Sequence, residues 1–439
     1  MIRDEVSRPG APARPAAAAS LAVPAGAADP RYRVLMIAPT SFFGDYGCPI
    51  RILEETRSLE QLGHEVTIVT YYKGRDVPGL RIVRTRPTPW RPNYEVGSSR
   101  HKLVFDLLLS YKALKVALRL RPDVIHAHLH EGALIGGVLA RLLRRPLVFD
   151  LQGSLTSEMV AHHFLNPQGP WYGPACWLER AIDQLPDAIL TSSQNAAEQV
   201  VERWGVPRAR VTTLPDSVNS DTFRPATESE QGALLAYQES LGIPRERRVI
   251  VYTGLLADYQ GTPTLLDMLA ALRARGLDAH LLIAGWPAEH AYRVRAAEMG
   301  LAPYTTILGR QPYEEMPRLL RLGTVAVSPK LSESEANLKL LGYMAAALPV
   351  VVYDTRVNRE YLGPLGSYAP PRDLAAYVER LAELLGDPAR AAAQGQALRR
   401  RALQHYDWEA AGREIAAIYG RIGARARSLA PAQAETYAG

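Results

Sequence analysis

From Arg33 onward, short and almost unbroken apolar runs alternate with stretches in which apolar residues return every three or four positions. The first half carries VLMIA at 34–38, VTIVTYY at 66–72, VIHAH at 124–128, LVFDL at 147–151, AILTSS at 188–193 and VTTLP at 211–215. Such runs fit parallel strands covered on both faces, since both sides of the strand must then be apolar. Between them, Ile52, Leu53, Leu59 and Leu62 recur at helical spacing, with Pro49 suited to a first helical position and Gly63 to a stop. After a polar gap at 225–247, holding Pro225, Glu228, Glu230 and Pro244, the rhythm restarts. The second set of runs is VIVYTG at 249–254, HLLIAG at 280–285, TTILG at 305–309, VAVSP at 325–329 and VVVYD at 350–354. Helical stretches are expected at 264–275, 289–299, 314–321 and 337–347, and three more from about 373 to 425. Two βαβ arrays in tandem predict an α/β protein of two doubly wound, Rossmann-like domains. Ligands of such sheets sit at the carboxyl ends of the strands, so the cleft between the domains is the expected site.

Length and composition leave this picture intact. The 439 residues suit two domains, and 47% apolar with 22% charged content is ordinary for a globular protein. Cys48 and Cys176 are the only cysteines, neither a disulfide framework nor a zinc spacing, which points to a reducing, cytoplasmic setting. The net charge of +6 is compatible with nucleotide diphosphates or anionic lipid and too weak to argue for nucleic acid. Residues 1–30 are rich in Ala, Pro and Gly; Asp4, Glu5 and Pro24 argue against a signal peptide, and a disordered extension is expected. No run of about 18 apolar residues predicts a membrane-spanning helix. The stretch 100–121 reads as a basic amphipathic helix, with Arg100, Lys102, Lys112, Lys115, Arg119 and Arg121 among leucines. It suits either an ordinary covering helix or a peripheral contact with the inner face of a membrane.

The segment carrying most chemistry is SPKLSESEANLKLLGYMAAALPVVVYD at 328–354, read as strand, polar loop, helix, small-residue turn and strand. Its loop holds Lys330, Glu333, Glu335 and Asn337 where a helix begins, followed by Leu338, Lys339 and Leu340. Free N–H groups at a helix amino-terminus suit a diphosphate. A lysine in the first turn is unfavourable for the helix itself and makes sense facing an anion. The plain alternative is a solvated lysine with Asn337 as an ordinary cap.

This segment resembles the donor-binding element of glycosyltransferase family 4, in which an acidic residue, a helix and an A-x-G-x-P-V-V turn form the nucleotide-sugar site. RILEETRSLEQLGHEVTIVTYY (51–72), DVIHAH (123–128) and LPDSVNSDTFRP (214–225) are similar to further family segments in the same order, and the resemblance covers roughly 33–425. It implies the GT-B architecture, two Rossmann-like domains facing each other across a cleft. The expected division is an acceptor domain at 31–225, a donor domain at 226–400, a helix at 401–425 returning to the first domain, and a disordered tail at 426–439. There are departures. The family's first acid falls at Ser334, between Glu333 and Glu335, and its second, eight residues on, falls at Gly342. The usual G-R-L is Gly254-Leu255-Leu256, the lysine expected before Gly261 is Gln260, and the histidine expected after the fourth strand is Gln152.

The resemblance implies transfer of a sugar from a nucleotide diphosphate sugar to a glycan or lipid-linked acceptor, as in cell-envelope polysaccharide, with retention of configuration. No D-x-D motif is present, so neither a metal nor another cofactor is expected at the donor site. Leaving-group charge would be met by Lys339 and N–H groups near 335–340, with Lys330 as a candidate second cation, Glu335 on donor sugar hydroxyls, Asn337 on sugar or phosphate, and Glu333, Leu338 and Leu340 among the donor-binding residues. Gly254 and Gly285 end strands at the donor side. Gly44 and Gly47 would let their loop approach the donor phosphates or the acceptor, and His128 and Asp150 are expected on the acceptor side or lining the cleft, where the Gln152 amide would position substrate. His126, His128 and His130 alternate along one strand and invite a metal site; strand-end histidines lining the cleft explain them more simply. Two rival readings are a binding or scaffold module that has lost catalysis and an epimerase acting on a nucleotide sugar.

Overall fold

The computed structural model describes residues 30–87, 102–161, 164–331 and 336–429. In chain order the first half runs β1 (Arg33–Ala38), α1 (Gly47–Gln61), β2 (Glu65–Thr70), β3 (Arg81–Arg84), α2 (Lys102–Leu120), β4 (Val124–His128), α3 (Leu129–Leu143), β5 (Leu147–Leu151), α4 (Leu155–Ala161), α5 (Tyr172–Asp183), β6 (Ala188–Thr191), α6 (Gln194–Trp204) and β7 (Val211–Thr213). The second half runs α7 (Glu228–Ser240), β8 (Arg248–Leu255), α8 (Thr264–Ala274), β9 (Ala279–Trp286), α9 (Glu289–Glu298), β10 (Thr305–Ile307), α10 (Met316–Leu320), β11 (Val325–Ser328), α11 (Lys339–Ala345), β12 (Val350–Tyr353), α12 (Arg356–Leu362), β13 (Ser367–Ala369), α13 (Leu374–Gly386), α14 (Pro388–His405) and α15 (Trp408–Leu429).

The strands form two parallel sheets, ordered β3-β2-β1-β4-β5-β6-β7 and β10-β9-β8-β11-β12-β13. Both orders reverse direction once, between β1 and β4 in the first sheet and between β8 and β11 in the second. At each reversal the connections leave to opposite sides and open a crevice beyond the strand ends. Apolar cores cover both faces of each sheet, which is why β1, β4 and β5 and their second-sheet counterparts read as unbroken apolar runs.

Three regions depart from the sequence reading. The polar gap at 225–247 contains α7, whose start is held by Glu230: its carboxylate accepts the Thr227 N–H at 2.8 Å and pairs with Arg224 at 2.7 Å. β3 and β13 were not expected; both are short edge strands with incompletely buried faces, so neither shows the apolar run of a central strand. The extension expected at 1–30 and the tail expected at 426–439 lie almost entirely outside the described residues, although α15 continues to Leu429.

α15 packs on α1, far in sequence from its chain neighbours. Its Ile415, Ile418 and Tyr419 are buried in the core that also holds Val34, Met36, Leu53 and Ile68. The Tyr419 hydroxyl meets His126 Nδ1 of β4 at 2.7 Å. Where the chain returns, Val218 donates to the Tyr406 carbonyl at 3.0 Å, so the outgoing and returning segments run side by side.

Candidate active site

A cavity of ≈ 760 Å³ lies between the carboxyl ends of the two sheets and takes its walls from both. From the first sheet come Pro39 and Thr40 after β1, Gly47 and Arg51 at the start of α1, Leu129 after β4 and Gln152 after β5. The second sheet supplies Gly254 and Leu255 at the end of β8 with Ala257, Tyr259 and Gln260 just beyond it, Ala284 and Trp286 at the end of β9, and Lys330 with Ala336 to Lys339 after β11. The β1 and β8 contributions flank the two strand-order reversals, the position where doubly wound folds place ligands.

On the second-sheet wall, Lys339 is the first residue of α11 and its Nζ donates to Gln260 Oε1 at 2.7 Å. It passes over the Tyr252 ring, 5.2 Å from the centroid. Gly254 makes this possible: its φ is 133°, and a Cβ there would stand 2.9 Å from Lys339 Cε. Gly261 permits a second close approach, since a Cβ would fall 2.1 Å from the Pro329 carbonyl oxygen. Lys330 is 4% exposed and donates to the Ala336 carbonyl at 2.9 Å, closing the loop before α11. Asn337 borders the cavity, but its amide braces the loop, donating to Ser328 Oγ at 3.0 Å and Asn358 Oδ1 at 2.9 Å.

Beneath the first-sheet wall lies a buried ionic cluster. Arg51 reaches Asp150 at 2.8 Å, Asp216 at 2.8 Å and Glu55 at 3.0 Å, and donates to the Leu214 carbonyl. Burial pulls the guanidinium pKa down, and Asp150, Glu55 and Asp216 together more than reverse this, so it stays charged. Burial alone would push the Asp150 carboxyl up; Arg51, and then His128, hold it well below the usual carboxylate range. Burial, with Asp150 beside it, raises Glu55 far above its ordinary value. Gln152 donates to Asp150 Oδ2 at 2.8 Å, which fixes the amide at the cavity wall. The Ser41–Tyr46 loop is tied to the second sheet's side: Asp45 Oδ1 accepts the Tyr313 N–H at 3.0 Å, and Arg310 donates to the Gly44 carbonyl at 2.9 Å.

Of the residues expected here, Lys339, Gln152, Gly254, Asn337, Leu338, Lys330 and Gly47 border the cavity. Five are placed elsewhere. Leu340 is fully buried in the second-sheet core and its N–H is taken by the Asn337 carbonyl; Leu341 lines the cavity instead. Gly285 sits under the wall, where a Cβ would meet the Gly254 oxygen at 2.5 Å. Gly44 turns its carbonyl to Arg310, and Asp45, Tyr46 and Gly47 face the space. His128 and Asp150 are wholly buried and bonded to each other at 3.0 Å, one layer behind the surface. Glu333 and Glu335 lie outside the described residues.

The three alternating histidines do not converge. His126 and His128 stack at 4.7 Å, whereas His130 has passed into the first turn of α3 and packs edge-on against Phe149. Burial, followed by its His128 neighbour, keeps His126 neutral by lowering its pKa well below the ordinary value. Sequence reasoning also missed wall residues. Lys102, paired with Glu131 at 2.5 Å, and Glu158 border the acceptor side; Tyr259 and Trp286 border the donor side. Asp216 lies in the 214–225 segment singled out from the sequence, and only the fold shows that it borders the cavity and pairs with Arg51.

Two Rossmann-like domains with a cavity across both strand-order reversals make up the GT-B architecture, the fold of nucleotide-sugar-dependent glycosyltransferases. Comparison with known proteins agrees. The chain matches the model of Glycosyltransferase Family 4 over residues 47–222 and that of Glycosyl transferases group 1 over residues 247–387. It is 27% identical over 414 residues to D-inositol 3-phosphate glycosyltransferase of Thermobispora bispora, covering 89% of this chain and 93% of that one. It is 27% identical over 316 residues to alpha-D-kanosaminyltransferase of Streptomyces kanamyceticus, covering 70% and 80%. Among solved structures, sucrose-phosphate synthase from Thermosynechococcus elongatus superposes with a TM-score of 0.74 at 18% identity, covering 90% of this chain and 100% of that one. Anabaena HepE in complex with UDP and glucose superposes with a TM-score of 0.71 at 14% identity, covering 89% and 100%. The chain belongs to glycosyltransferase family 4.

Proposed function

We propose that the chain transfers a sugar from a nucleoside diphosphate sugar to a glycan or lipid-linked acceptor, with retention of configuration and without a carboxylate-held metal at the donor. The observation that carries this reading is the pair Lys339 and Lys330 on the second-sheet wall, bordering the same cavity as Gln152 on the first. As the glycosidic bond to the nucleotide breaks, negative charge grows on the departing diphosphate. A preplaced ammonium such as that of Lys339 stabilises this charge without reorganisation, and more strongly in a partly water-excluded site than in bulk water. Gln260 holds that ammonium in place before the donor arrives. On the acceptor side, the Gln152 amide is oriented by Asp150, itself locked by Arg51, so it offers a fixed polar group to an acceptor hydroxyl.

A lipid-linked acceptor is favoured by the outer surface of the first domain. α2 buries Phe105, Leu109, Ala113 and Ala117 against the sheet, and also exposes Leu103, Leu107, Tyr111 and Leu118. α3 touches both α2 and α5 and adds Val138 and Leu142; Trp171 and Trp177 at α5 are 75% and 70% exposed. Exposed Lys115, Arg119, Arg141, Arg144 and Arg145 lie on the same helices or just past their ends. Aromatics and leucines beside basic side chains suit the interface of an anionic bilayer. No helix among the described residues is long and apolar enough to cross one.

The test is a melting-temperature screen against UDP, GDP, ADP and dTDP sugars, followed by nuclear magnetic resonance of the product anomer. A ligand that binds the folded state raises the melting temperature. Stabilisation by one nucleotide sugar class, a retained anomer and a rate indifferent to added Mg²⁺ or Mn²⁺ are expected. An inverted product, or a rate that rises from zero with metal, overturns the mechanism.

A further inference from the structure

Behind the acceptor-side wall lies a second group of metal-ligating side chains, separate from the donor site. His130 is in the first turn of α3; Glu179 and Asp183 are one turn apart on α5, which places both carboxylates on one helix face. Their exposures are 4%, 0% and 0%. His130 Nε2 stands 3.3 Å from Asp183 Oδ1 and 3.8 Å from Glu179 Oε1, and one ligand atom from each residue lies within 4.8 Å of the others. His130 Nε2 and Asp183 Oδ1 face each other as an ion pair, whereas Glu179 Oε1 and the second Asp183 oxygen have no hydrogen-bond partner. The other Glu179 oxygen is occupied, accepting from the Thr156 N–H at 3.0 Å and from its hydroxyl at 2.5 Å.

Charge separates this cluster from a superficially similar one. Glu55, His126 and His128 also bring ligand atoms within 4.8 Å of one another, but Arg51 stands 3.0 Å from Glu55 and supplies the positive charge. Among the described residues, Glu179 and Asp183 pair with no lysine or arginine; His130 is their sole basic neighbour. A single imidazolium can neutralise one carboxylate; the other must take up a proton or meet a further cation, because an unpaired charge in a dry site is costly.

We infer that His130, Glu179 and Asp183 bind a divalent transition cation of the zinc or manganese class. One imidazole nitrogen with two carboxylate oxygens is a donor set that suits such ions. In a tetrahedral shell with bonds of about 2.0–2.1 Å, donor atoms lie roughly 3.3–3.4 Å apart, so the 3.3 and 3.8 Å separations need only slight contraction. The ion ties α3 to α5. Through Glu179 and Thr156 it also secures the first turn of α4, directly after the loop that carries Gln152. Its role is to hold the acceptor wall, and it takes no part in departure of the diphosphate.

The test is elemental analysis of the purified full chain, with melting measured after chelation and after return of Zn²⁺ or Mn²⁺. Cobalt substitution adds a spectroscopic readout, because Co²⁺ in a tetrahedral site absorbs strongly in the visible. The expected results are a stoichiometric metal ion, a melting temperature that falls by several degrees on chelation and recovers with metal, and visible cobalt bands. Asp183→Asn and His130→Gln should lose the ion, while His126→Gln should keep it. A wild-type protein that carries no metal, and whose melting ignores Zn²⁺, Mn²⁺ and Co²⁺, overturns the inference. So does an Asp183→Asn protein that binds as wild type does. If the variants fail to fold, the wild-type chelation cycle and cobalt spectrum decide alone.

Discussion

Lys339 Nζ and Gln260 Oε1 are 2.7 Å apart, joining the first turn of α11 to the loop after β8 across the donor wall. Gln260 occupies the position where the family resemblance led us to expect a lysine. The wall therefore holds its ammonium on α11 and a neutral amide partner on the β8 loop. If this ammonium meets the leaving diphosphate, Lys339→Ala should lower kcat/KM by about 10²–10³-fold, the usual effect of removing one such charge-stabilising group. Melting of the unliganded protein should shift little. Steady-state kinetics with the stabilising nucleotide sugar provide the check, and an unchanged rate removes the proposed role.

Gly254→Ala should damage the same site by a steric route. At φ 133° an L side chain is strained, and its Cβ would press on Lys339 Cε. The strain costs about 1–3 kcal/mol, and the displaced lysine should weaken nucleotide binding at least as much as its truncation does. Calorimetric titration with the nucleotide, alongside a denaturant melt, separates the two effects.

Arg51→Met would strand three acids in the first domain. Asp150, Glu55 and Asp216 all lean on this one guanidinium. Removing one partner of a buried ionic cluster costs about 3–5 kcal/mol. The double variant Arg51→Met with Asp150→Asn should recover part of that loss, because one fewer charge is left unpaired. Urea unfolding of both proteins tests this.

Asp106 on α2 should make stability depend on pH in the mildly acid range. Burial, opposed by the Tyr71 hydroxyl at 2.5 Å, raises its pKa from 3.8 to about 6. The folded chain thus holds this proton more tightly than the unfolded one. The associated stability is fully present below the unfolded pKa and is lost as pH rises toward 6. The change is on the order of 1–3 kcal/mol, and Asp106→Asn should flatten the profile between those limits.

Trp171→Ser with Trp177→Ser should reduce binding to vesicles containing phosphatidylglycerol without changing the melting temperature, since both rings stand mostly in solvent. Co-sedimentation of wild type and variant is the measurement. Equal recovery of the two proteins with vesicles would count against the lipid-facing surface.

Central strands were legible in the amino-acid pattern because a strand covered on both faces has no freedom to be polar; VIHAH and LVFDL match β4 and β5 residue for residue. Edges lack that constraint, which is why RIVR of β3 and SYA of β13 passed unnoticed. α7 was hidden by its exposed, polar composition, although Thr227 and Glu230 stand at capping-box spacing. At the site, the pattern located the right segments and misjudged which residue of each borders the cavity. Gly47 borders the cavity while Gly44 faces Arg310, and Leu341 replaces Leu340. Register of one residue decides such cases, and it is set by packing beyond the segment. Lys102 and Glu158 come from separate elements and gather only through the fold.

The paired crossing at Val218 and Tyr406 bears on how the two halves can move. A single connecting strand would leave one lobe free to swivel about the other. Two backbone segments laid alongside, clasped by a hydrogen bond, resist torsion far more than flexing. Motion about the gap should therefore resemble a book turning on its spine. Severing the chain just beyond residue 225 would break that spine and strip away α15, leaving Met36, Leu53 and Ile68 without their cover.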